Sequence, residues 1–147
     1  MLPQKEGKML YIARVNPILT FRCEVVLNVE ETSIQKLKDV QHLFIRCLLG
    51  VGPCSMLATL FTETGIMPLR FHCAMLAIGY LIYLLQLPHS HYAYAALQES
   101  KSLLSGGFSC WIGDLNWVIW HLPPKSSCRK HEQRRAIALA GESGPHL

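Results

Sequence analysis

The sequence predicts an all-α protein: a compact bundle of six or seven short helices around a central apolar helix, followed by a basic C-terminal tail. Three observations predict this class. Helix-capping residues and Gly or Pro breaks recur along the chain, apolar residues repeat at helical spacing, and no segment shows the period-two alternation of a β-hairpin. The 147 residues, 50% hydrophobic and 16% charged, suffice for one core and exclude disordered and coiled-coil classes.

The first predicted helical segments lie on either side of an Asn-Pro pair. Asn16 is of a residue type favoured at the N-cap, and proline is favoured at the first position of a helix. The pair therefore predicts a helix over residues 17–29, entered at a break that follows residues 8–15.

The next helix has the clearest boundaries. Thr32 and Gln35 have the spacing of a capping box, and Gly50 is of the residue type that ends many helices. Five residues between these boundaries recur at helical spacing and predict the buried face: Ile34, Leu37, Gln41, Phe44 and Leu48.

A long apolar run occupies the centre of the chain. It follows a short helix predicted between residues 52 and 65, and no Lys, Arg, Asp or Glu occurs between Arg70 and Glu99. About 20 apolar residues can span a bilayer. A helix that is apolar on every side is also typical of the centre of a helical domain, whose other helices cover each face. We expect the buried core helix; the alternative is a transmembrane anchor formed by residues 71–88.

Two more helices are predicted before the tail. Ser90 and Ser109 are placed as their N-caps, and the helices end at the glycines 106–107 and the prolines 123–124. Each has one predicted inward stripe: Ala93, Ala96, Leu97, Ser100 and Leu104 in the first, and Trp111, Leu115, Val118 and Leu122 in the second.

Charge is concentrated at the two ends of the chain. Residues 1–46 have a net charge of +2, residues 47–121 of −1 and residues 122–147 of +3. We therefore predict a helical domain over residues 1–124 and a mobile basic tail over residues 125–147. The tail contains five cations: Lys125, Arg129, Lys130, Arg134 and Arg135. They either attract nucleic acid or anionic lipid through their field or serve as solubilising surface.

The sequence shows none of the residue clusters that catalysis and metal binding need. Asp39 and Asp114 fall in separate predicted helices, whereas two-metal phosphoryl transfer requires clustered carboxylates. The His-x-His motif at 89–91 and the Cys-x-x-His motif at 128–131 each offer two ligands, fewer than the four of structural zinc. We therefore assign no catalytic residue, cofactor site or metal site and expect the protein not to be an enzyme.

The cysteines predict reduced thiols. Their spacings are irregular and several lie inside apolar helical patterns, which is not typical of a disulfide scaffold. The six are Cys23, Cys47, Cys54, Cys73, Cys110 and Cys128. Because the N-terminal sequence also lacks the apolar run of a secretory signal, we expect an intracellular protein of the nucleus or cytoplasm. The alternative is an integral membrane protein.

Six runs of sequence follow one another in a recognisable order. They are MLYIARVNPILTFRCE (9–24), VQHLFIRCLLG (40–50), LFTETGIMPLR (60–70), YLIYLLQLP (80–88), AALQES (95–100) and SCWIGDL (109–115). In order and spacing they resemble the part of fungal non-LTR (LINE-type) retrotransposon reverse transcriptases that follows the polymerase palm. The resemblance covers about residues 8–122. In that family the region begins with a thumb-like helix and continues into helices thought to hold template RNA and target DNA.

Two motifs show how the chain departs from that family. The family pattern Tyr-Gly-x-Glu-x-Trp is matched here by the run from Phe21 to Val26, in which Arg22 stands in place of the glycine and Val26 in place of the tryptophan. The pattern Phe-Leu-Arg-Arg-Leu-Leu-Gly is matched by residues 44–50, in which Cys47 replaces one arginine. Fewer cations mean fewer neutralised phosphates, so this loss weakens the expected binding of nucleic acid.

The resemblance implies a catalytically inert fragment of a reverse transcriptase, because the polymerase and endonuclease residues of the family have no counterpart here. It implies at most weak, sequence-independent binding of RNA or DNA, with the remainder of a reverse transcriptase as a further partner. The candidate phosphate contacts are Arg46, Arg70, Lys125, Arg129, Lys130, Arg134 and Arg135. A small single-pass membrane protein is the alternative, and a relic reading frame without a stable product is compatible with the first interpretation.

Overall fold

The computed structural model describes residues 3–27 and 31–122, and every regular element in these two ranges is helical. The elements are α1 (Gln4–Leu10), a π-helical turn (Tyr11–Val15), α2 (Asn16–Leu19), α3 (Glu31–Leu49), α4 (Leu57–Thr64), α5 (Leu69–Gln86), α6 (Tyr92–Ser105) and α7 (Trp111–Trp120). The predicted all-α class is confirmed. The tail, with its five candidate cations, lies outside the described residues.

The chain divides into two compact units, and the division falls between Leu76 and Ala77, inside α5. The first unit contains α1 to α4 and the first half of α5. The second contains the rest of α5 together with α6 and α7.

The N-terminal segment is helical without interruption from Gln4 to Leu19. The predicted break before Pro17 is therefore wrong, and so is the predicted helix over residues 17–29, because residues 20–26 form turns. Proline has no N–H to donate to the preceding turn. A single π-helical turn lies directly before α2, and the helix continues through the proline by way of this wider turn.

Helix α3 has the buried face that its sequence predicts. Ile34 and Gln41 are buried, and the remaining three residues of the predicted stripe are half-buried. The helix already includes Thr32, so the predicted capping box is not formed, and the Gln35 amide instead donates to Asp39 Oδ1 at 2.8 Å. Gly50 ends the helix at φ 65°, in the left-handed region that glycine favours.

The core of the first unit takes residues from the π-helical turn, from α2 to α5 and from the loop before α5. It consists of Tyr11, Leu19, Ile45, Leu60, Ile66 and Leu69. Helix α1 contacts α3 closely at Gly7, where an added Cβ would meet the side chain of Leu48. The buried glycine is therefore required by the close approach of the two helices.

A buried amide connects three segments of the first unit. Gln41 Nε2 donates to the Tyr11 hydroxyl at 2.7 Å and to the Met67 carbonyl at 2.9 Å, and Gln41 Oε1 accepts from the Leu69 N–H at 2.9 Å. The first N–H groups of a helix have no partner within the helix. Gln41 therefore supplies an acceptor for the first turn of α5 from another helix.

Helix α5 is buried along one stripe only. Ala74, Ala77, Leu81 and Leu84 are buried, whereas the opposite face is exposed. That face contains Met75, Leu76, Ile82 and Tyr83. The expectation that neighbours cover every face of α5 is therefore wrong, because residues on the side opposite the buried stripe are exposed.

The second unit packs through apolar and aromatic side chains. Its buried residues in α6 and α7 are Leu97, Ile112, Leu115, Val118 and Ile119. The Tyr80 and Trp111 rings meet edge to face with their centroids 5.8 Å apart. Leu115 and Val118 confirm the stripe predicted for α7, but Ala96 and Leu104 of the α6 stripe are exposed.

The two predicted serine caps are each displaced by one residue. His91 is the N-cap of α6, and its Nδ1 accepts from the Ala93 N–H at 3.2 Å. Cys110 is the N-cap of α7 and makes no side-chain capping bond. Ser90 and Ser109 therefore lie just outside the helices that they were predicted to cap.

Candidate nucleic-acid interface

Arg46 lies in the last turn of α3 and is half-buried. A cation in this position interacts favourably with the carbonyl end of the helix. Within the part of the chain that the structure describes, Arg46 Nε is buried and has no hydrogen-bond partner. Because Nε is buried, an anion could use this N–H only after the Arg46 side chain has moved.

His42 lies one turn before Arg46 and reports on its charge. Burial lowers the pKa of His42, and the nearby Arg46 cation lowers that pKa further. The ring contacts Phe61 edge to face, with centroids 5.7 Å apart. The neutral imidazole is thus favoured beside the arginine.

Arg70, the second predicted contact, lies at the start of α5 and binds an acidic side chain of the same unit. Its Nη1 is 2.7 Å from Glu31 Oε2, and Lys38 Nζ is 2.6 Å from Glu31 Oε1. The hydrogen bond from Lys38 lowers the pKa of Glu31, and the positive charge of Arg70 acts in the same direction. A phosphate would have to compete with this carboxylate for Arg70.

The structure does not bring Arg46 and Arg70 into one patch. Arg70 binds Glu31 at the beginning of α3, whereas Arg46 lies 15 positions further along the same helix. At 1.5 Å per residue this separation is about 22 Å along the helix axis. A single phosphate cannot contact both arginines.

An exposed aromatic-cation pair was missed at the sequence level. The Arg22 guanidinium carbon lies 5.1 Å from the centroid of the Phe21 ring, and both residues are exposed in the turn after α2. Such pairs provide a face on which an unpaired base can stack. The adjacency of the two residues was a signal, but only the turn geometry shows that both face solvent.

Within residues 3–27 and 31–122, no three His, Cys, Asp or Glu side chains group together to hold a metal ion. In the His-x-His motif, His91 caps α6, while the His89 ring meets Tyr94 edge to face at 4.6 Å. The Cys-x-x-His motif at 128–131 lies outside the described residues.

Helix α5 meets the length and composition required to cross a membrane. It has 18 residues, of which 33% are buried. A soluble core helix passes the same criteria, but it is mostly buried. The partial burial of α5 is therefore the structural feature that bears on the membrane alternative.

Comparison with known proteins identified no relatives: no family model, curated protein or solved structure matches the chain.

Proposed function

We propose that the chain is a catalytically inert module derived from a non-LTR retrotransposon reverse transcriptase, and that it binds RNA or DNA weakly and without sequence preference. In this proposal phosphate contacts supply the affinity, and the remainder of a reverse transcriptase is a protein partner. The nucleus or cytoplasm is the proposed location.

The backbone at Arg22 is the observation that carries the proposed origin. Arg22 has φ 61°, in the left-handed region where L side chains are strained and glycine is favoured. The reverse transcriptase pattern that this segment resembles has glycine at this position. A turn that needs glycine, in a chain that has lost the glycine, supports descent from that pattern.

The placement of the aspartates supports the absence of polymerase chemistry. Asp39 lies in α3 and accepts a hydrogen bond from Gln35, whereas Asp114 lies in the first turn of α7, in the other unit. Two-metal transfer requires carboxylates close enough to share ions about 4 Å apart. We therefore propose no catalytic role for either residue.

Arg46 is the described residue best placed to bind phosphate. Within the described residues, its buried Nε has no hydrogen-bond partner, while Arg70 is paired with Glu31. We propose that Arg46 and the five tail cations provide the contacts and that Arg70 is secondary. Guanidinium groups suit phosphate because two parallel N–H groups can donate to two oxygens.

A salt series with single-stranded RNA tests this proposal. With six contacts, the logarithm of the binding constant should fall against the logarithm of salt concentration with a slope of about −4. Arg46→Gln should make the slope less steep by about 0.7, whereas Lys101→Gln in α6 is the matched control and should leave it unchanged. Absence of binding at low salt, or binding that ignores salt, would contradict the proposal.

The His42 ring offers a local readout of the same event. A phosphate bound at Arg46 offsets the positive charge that helps to lower the His42 pKa, so the pKa should rise when RNA binds. An NMR titration of the histidine ring protons with and without RNA measures this change. An unchanged His42 pKa at saturating RNA would exclude Arg46 as a contact.

The proposed origin has its own test, which is independent of binding. The genomic sequence just upstream should contain an intact or broken reading frame that encodes Tyr/Phe-x-Asp-Asp. An upstream region without any trace of a polymerase palm would contradict descent from a reverse transcriptase.

Membrane association is the second candidate, and the exposed face of α5 supports it. Met75, Leu76, Ile82 and Tyr83 place apolar surface on the side of α5 that its neighbours leave uncovered. A predominantly apolar helix of 18 residues is close to the length that spans a bilayer. In this candidate, residues 71–88 form the anchor and a basic tail is expected on the cytoplasmic side.

Carbonate extraction of membranes from expressing cells separates the two candidates. A single-pass anchor stays in the membrane pellet, and Ile82→Asp should release it because a charge in the apolar face is costly to insert. Ser102→Asp on the exposed surface of α6 is the control and should not change the distribution. Complete release of the unmodified chain would contradict the membrane candidate.

A further inference from the structure

An aromatic ring and a guanidinium group form an exposed pair in the turn after α2. The guanidinium carbon of Arg22 lies 5.1 Å from the centroid of the Phe21 ring. Phe21 is 72% exposed even though Arg22 lies over its ring, and Arg22 is exposed as well. Two planar groups are therefore presented to solvent together instead of being packed against the first unit.

Backbone hydrogen bonds hold the turn in this conformation. The Cys23 N–H donates to the Thr20 carbonyl at 3.1 Å, and the N–H groups of Val25 and Val26 donate to the Arg22 carbonyl at 3.1 Å and 2.8 Å. Thr20 and Cys23 are buried on either side of the pair. The backbone of the pair is thus fixed before a ligand arrives, which reduces the entropy lost on binding.

The charges of the turn favour the face of a base over a phosphate. In the described part of the chain no carboxylate forms an ion pair with Arg22, whereas Arg70 is bound to Glu31. Glu24 lies two positions after Arg22, so the two charges of the turn cancel. Affinity for phosphates grows with the number of cations that neutralise them. The turn therefore offers flat surface and no excess of positive charge.

Three further apolar side chains are exposed in the residues that flank the pair: Ile18, Val25 and Val26. Exposed apolar patches mark binding surfaces for proteins, membranes or ligands. An anionic lipid surface attracts an excess of Lys or Arg, which the turn does not have. An unpaired base suits the turn better, because it stacks on aromatic rings and on guanidinium planes without requiring net charge.

We propose that Phe21 and Arg22 form a stacking platform for one unpaired base of single-stranded nucleic acid. The inference rests on the proposed binding of RNA or DNA and adds the feature of the ligand that is selected, which is an accessible base. Every base has a flat face, so stacking tolerates any sequence. The affinity should therefore depend on the presence of bases but not on their order.

Two ligands of equal length and charge separate stacking from phosphate binding: a single-stranded oligonucleotide and the same backbone without bases. We expect the unmodified full chain to bind the base-bearing strand about tenfold more tightly at equal salt concentration, which is the contribution of one stacked base. On binding, the ring protons of Phe21 should shift upfield in NMR spectra, because a stacked base shields them. The baseless strand should leave these resonances unchanged.

Phe21→Leu keeps the apolar bulk and removes the aromatic face. It should weaken binding of the base-bearing strand about tenfold, leave binding of the baseless strand unchanged and leave the salt slope unchanged. Phe21→Trp retains an aromatic face and should retain the preference for bases. Phe108→Leu replaces a phenylalanine of the second unit that is 67% exposed, and as the matched control it should change neither affinity.

Substitutions of Arg22 separate its plane from its charge and from the stability of the turn. Arg22→Lys keeps the positive charge but loses the planar guanidinium, so the base-bearing strand should bind severalfold more weakly. Arg22→Gly relieves the left-handed backbone, so the protein should become more stable while its preference for bases falls. A loss of affinity in a more stable protein does not come from unfolding.

The outcomes distinguish the platform from the phosphate contacts. Equal affinities of the unmodified chain for the two strands, with the expected salt slope, would overturn the platform and leave the proposed function standing. Equal losses in Phe21→Leu and Phe108→Leu would do the same. Failure to bind either strand at low salt contradicts the proposed function itself. Binding to anionic lipid vesicles that Phe21→Ala abolishes, together with equal affinities for the two strands, would assign the turn to a lipid surface and overturn the platform.

Discussion

In the first unit a buried amide joins three segments by hydrogen bonds, whereas in α6 and α7 of the second unit the buried residues are all apolar. The described part of the first unit contains the ion pairs of Glu31 with Lys38 and Arg70. Residues 77–122 contain only three charged residues, Glu99, Lys101 and Asp114. Directional contacts specify one arrangement, while apolar packing tolerates several similar ones. The first unit is therefore the more narrowly specified of the two.

Unsatisfied polar atoms sharpen this comparison. Ser100 Oγ and Trp111 Nε1 in the second unit are buried without a hydrogen-bond partner in the described structure. In the first unit, the buried Gln41 uses both its amide nitrogen and its oxygen. The first unit also has one such atom, Arg46 Nε, so the contrast lies in the fully bonded Gln41 amide rather than in the absence of unsatisfied atoms.

The largest expected effect comes from removing the amide of Gln41. Gln41→Ala leaves the Tyr11 hydroxyl, the Met67 carbonyl and the Leu69 N–H without their partner and creates a cavity, so the free energy of unfolding should fall by about 4 kcal/mol. Urea denaturation measures the change. Gln35→Ala, which removes an exposed amide from the same helix, should change it by no more than about 0.5 kcal/mol. Similar losses in both variants would show that Gln41 has no special role.

In the second unit we expect a substitution that raises the free energy of unfolding. Ser100→Ala removes a buried hydroxyl that lacks a partner and introduces a better helix former, so the protein should be stabilised by about 1.5 kcal/mol. Ser102→Ala, on the exposed surface of α6, shows the helix-propensity contribution alone, about 0.5 kcal/mol. If Ser100→Ala is destabilising, the hydroxyl is satisfied and the contrast between the units is smaller than we infer.

A smaller stabilisation is expected at the turn after α2. Arg22→Gly relieves the left-handed strain and adds flexibility to the unfolded chain, for a net gain of about 1 kcal/mol. Arg14→Gly in the π-helical turn is the matched control, and it should cost about 1 kcal/mol because that residue is already in a helical conformation. Equal effects of the two substitutions would contradict the strained turn.

The smallest effect concerns the ion pairs of Glu31. Because the folded-state pKa is lowered, their contribution to stability is present above the ordinary value of 4.5 and is lost as the pH falls below it. Glu31 is 55% exposed, so this contribution should stay below about 1 kcal/mol. Glu31→Gln should abolish that part of the pH dependence in denaturation curves. High salt should reduce the difference in the free energy of unfolding between the unmodified protein and Glu31→Gln. A difference that does not change with salt would contradict its assignment to the ion pairs.

The sequence predicted those parts of the fold that depend on local signals. The inner face of α3 follows from a regular apolar stripe, and Gly65 at φ 60° ends α4 as expected. The break at Pro17 was wrong because a single π-helical turn accommodates the proline, and local propensity does not reveal that option. The serine caps were wrong by one position, which is within the range in which neighbouring residues compete to cap a helix.

The sequence predicted less of the candidate site than of the fold. The ion pair of Arg70 with Glu31 joins residues 39 positions apart, so no local pattern reveals that Arg70 already has a partner. The exposed face of α5 was missed because an apolar sequence does not state how many of its sides have neighbours. These features depend on tertiary packing, which the one-dimensional pattern does not contain.

The first turn of α5 depends on a side chain of another helix, because the Leu69 N–H donates to Gln41 Oε1. A synthetic peptide spanning α5 alone would lack this amide, and its first turn should fray even in a solvent that supports the remaining helix. The length of that helix, and therefore the thickness of bilayer it could match, is set partly by a side chain 28 positions earlier. Excising the apolar segment to study it would shorten the very element under study.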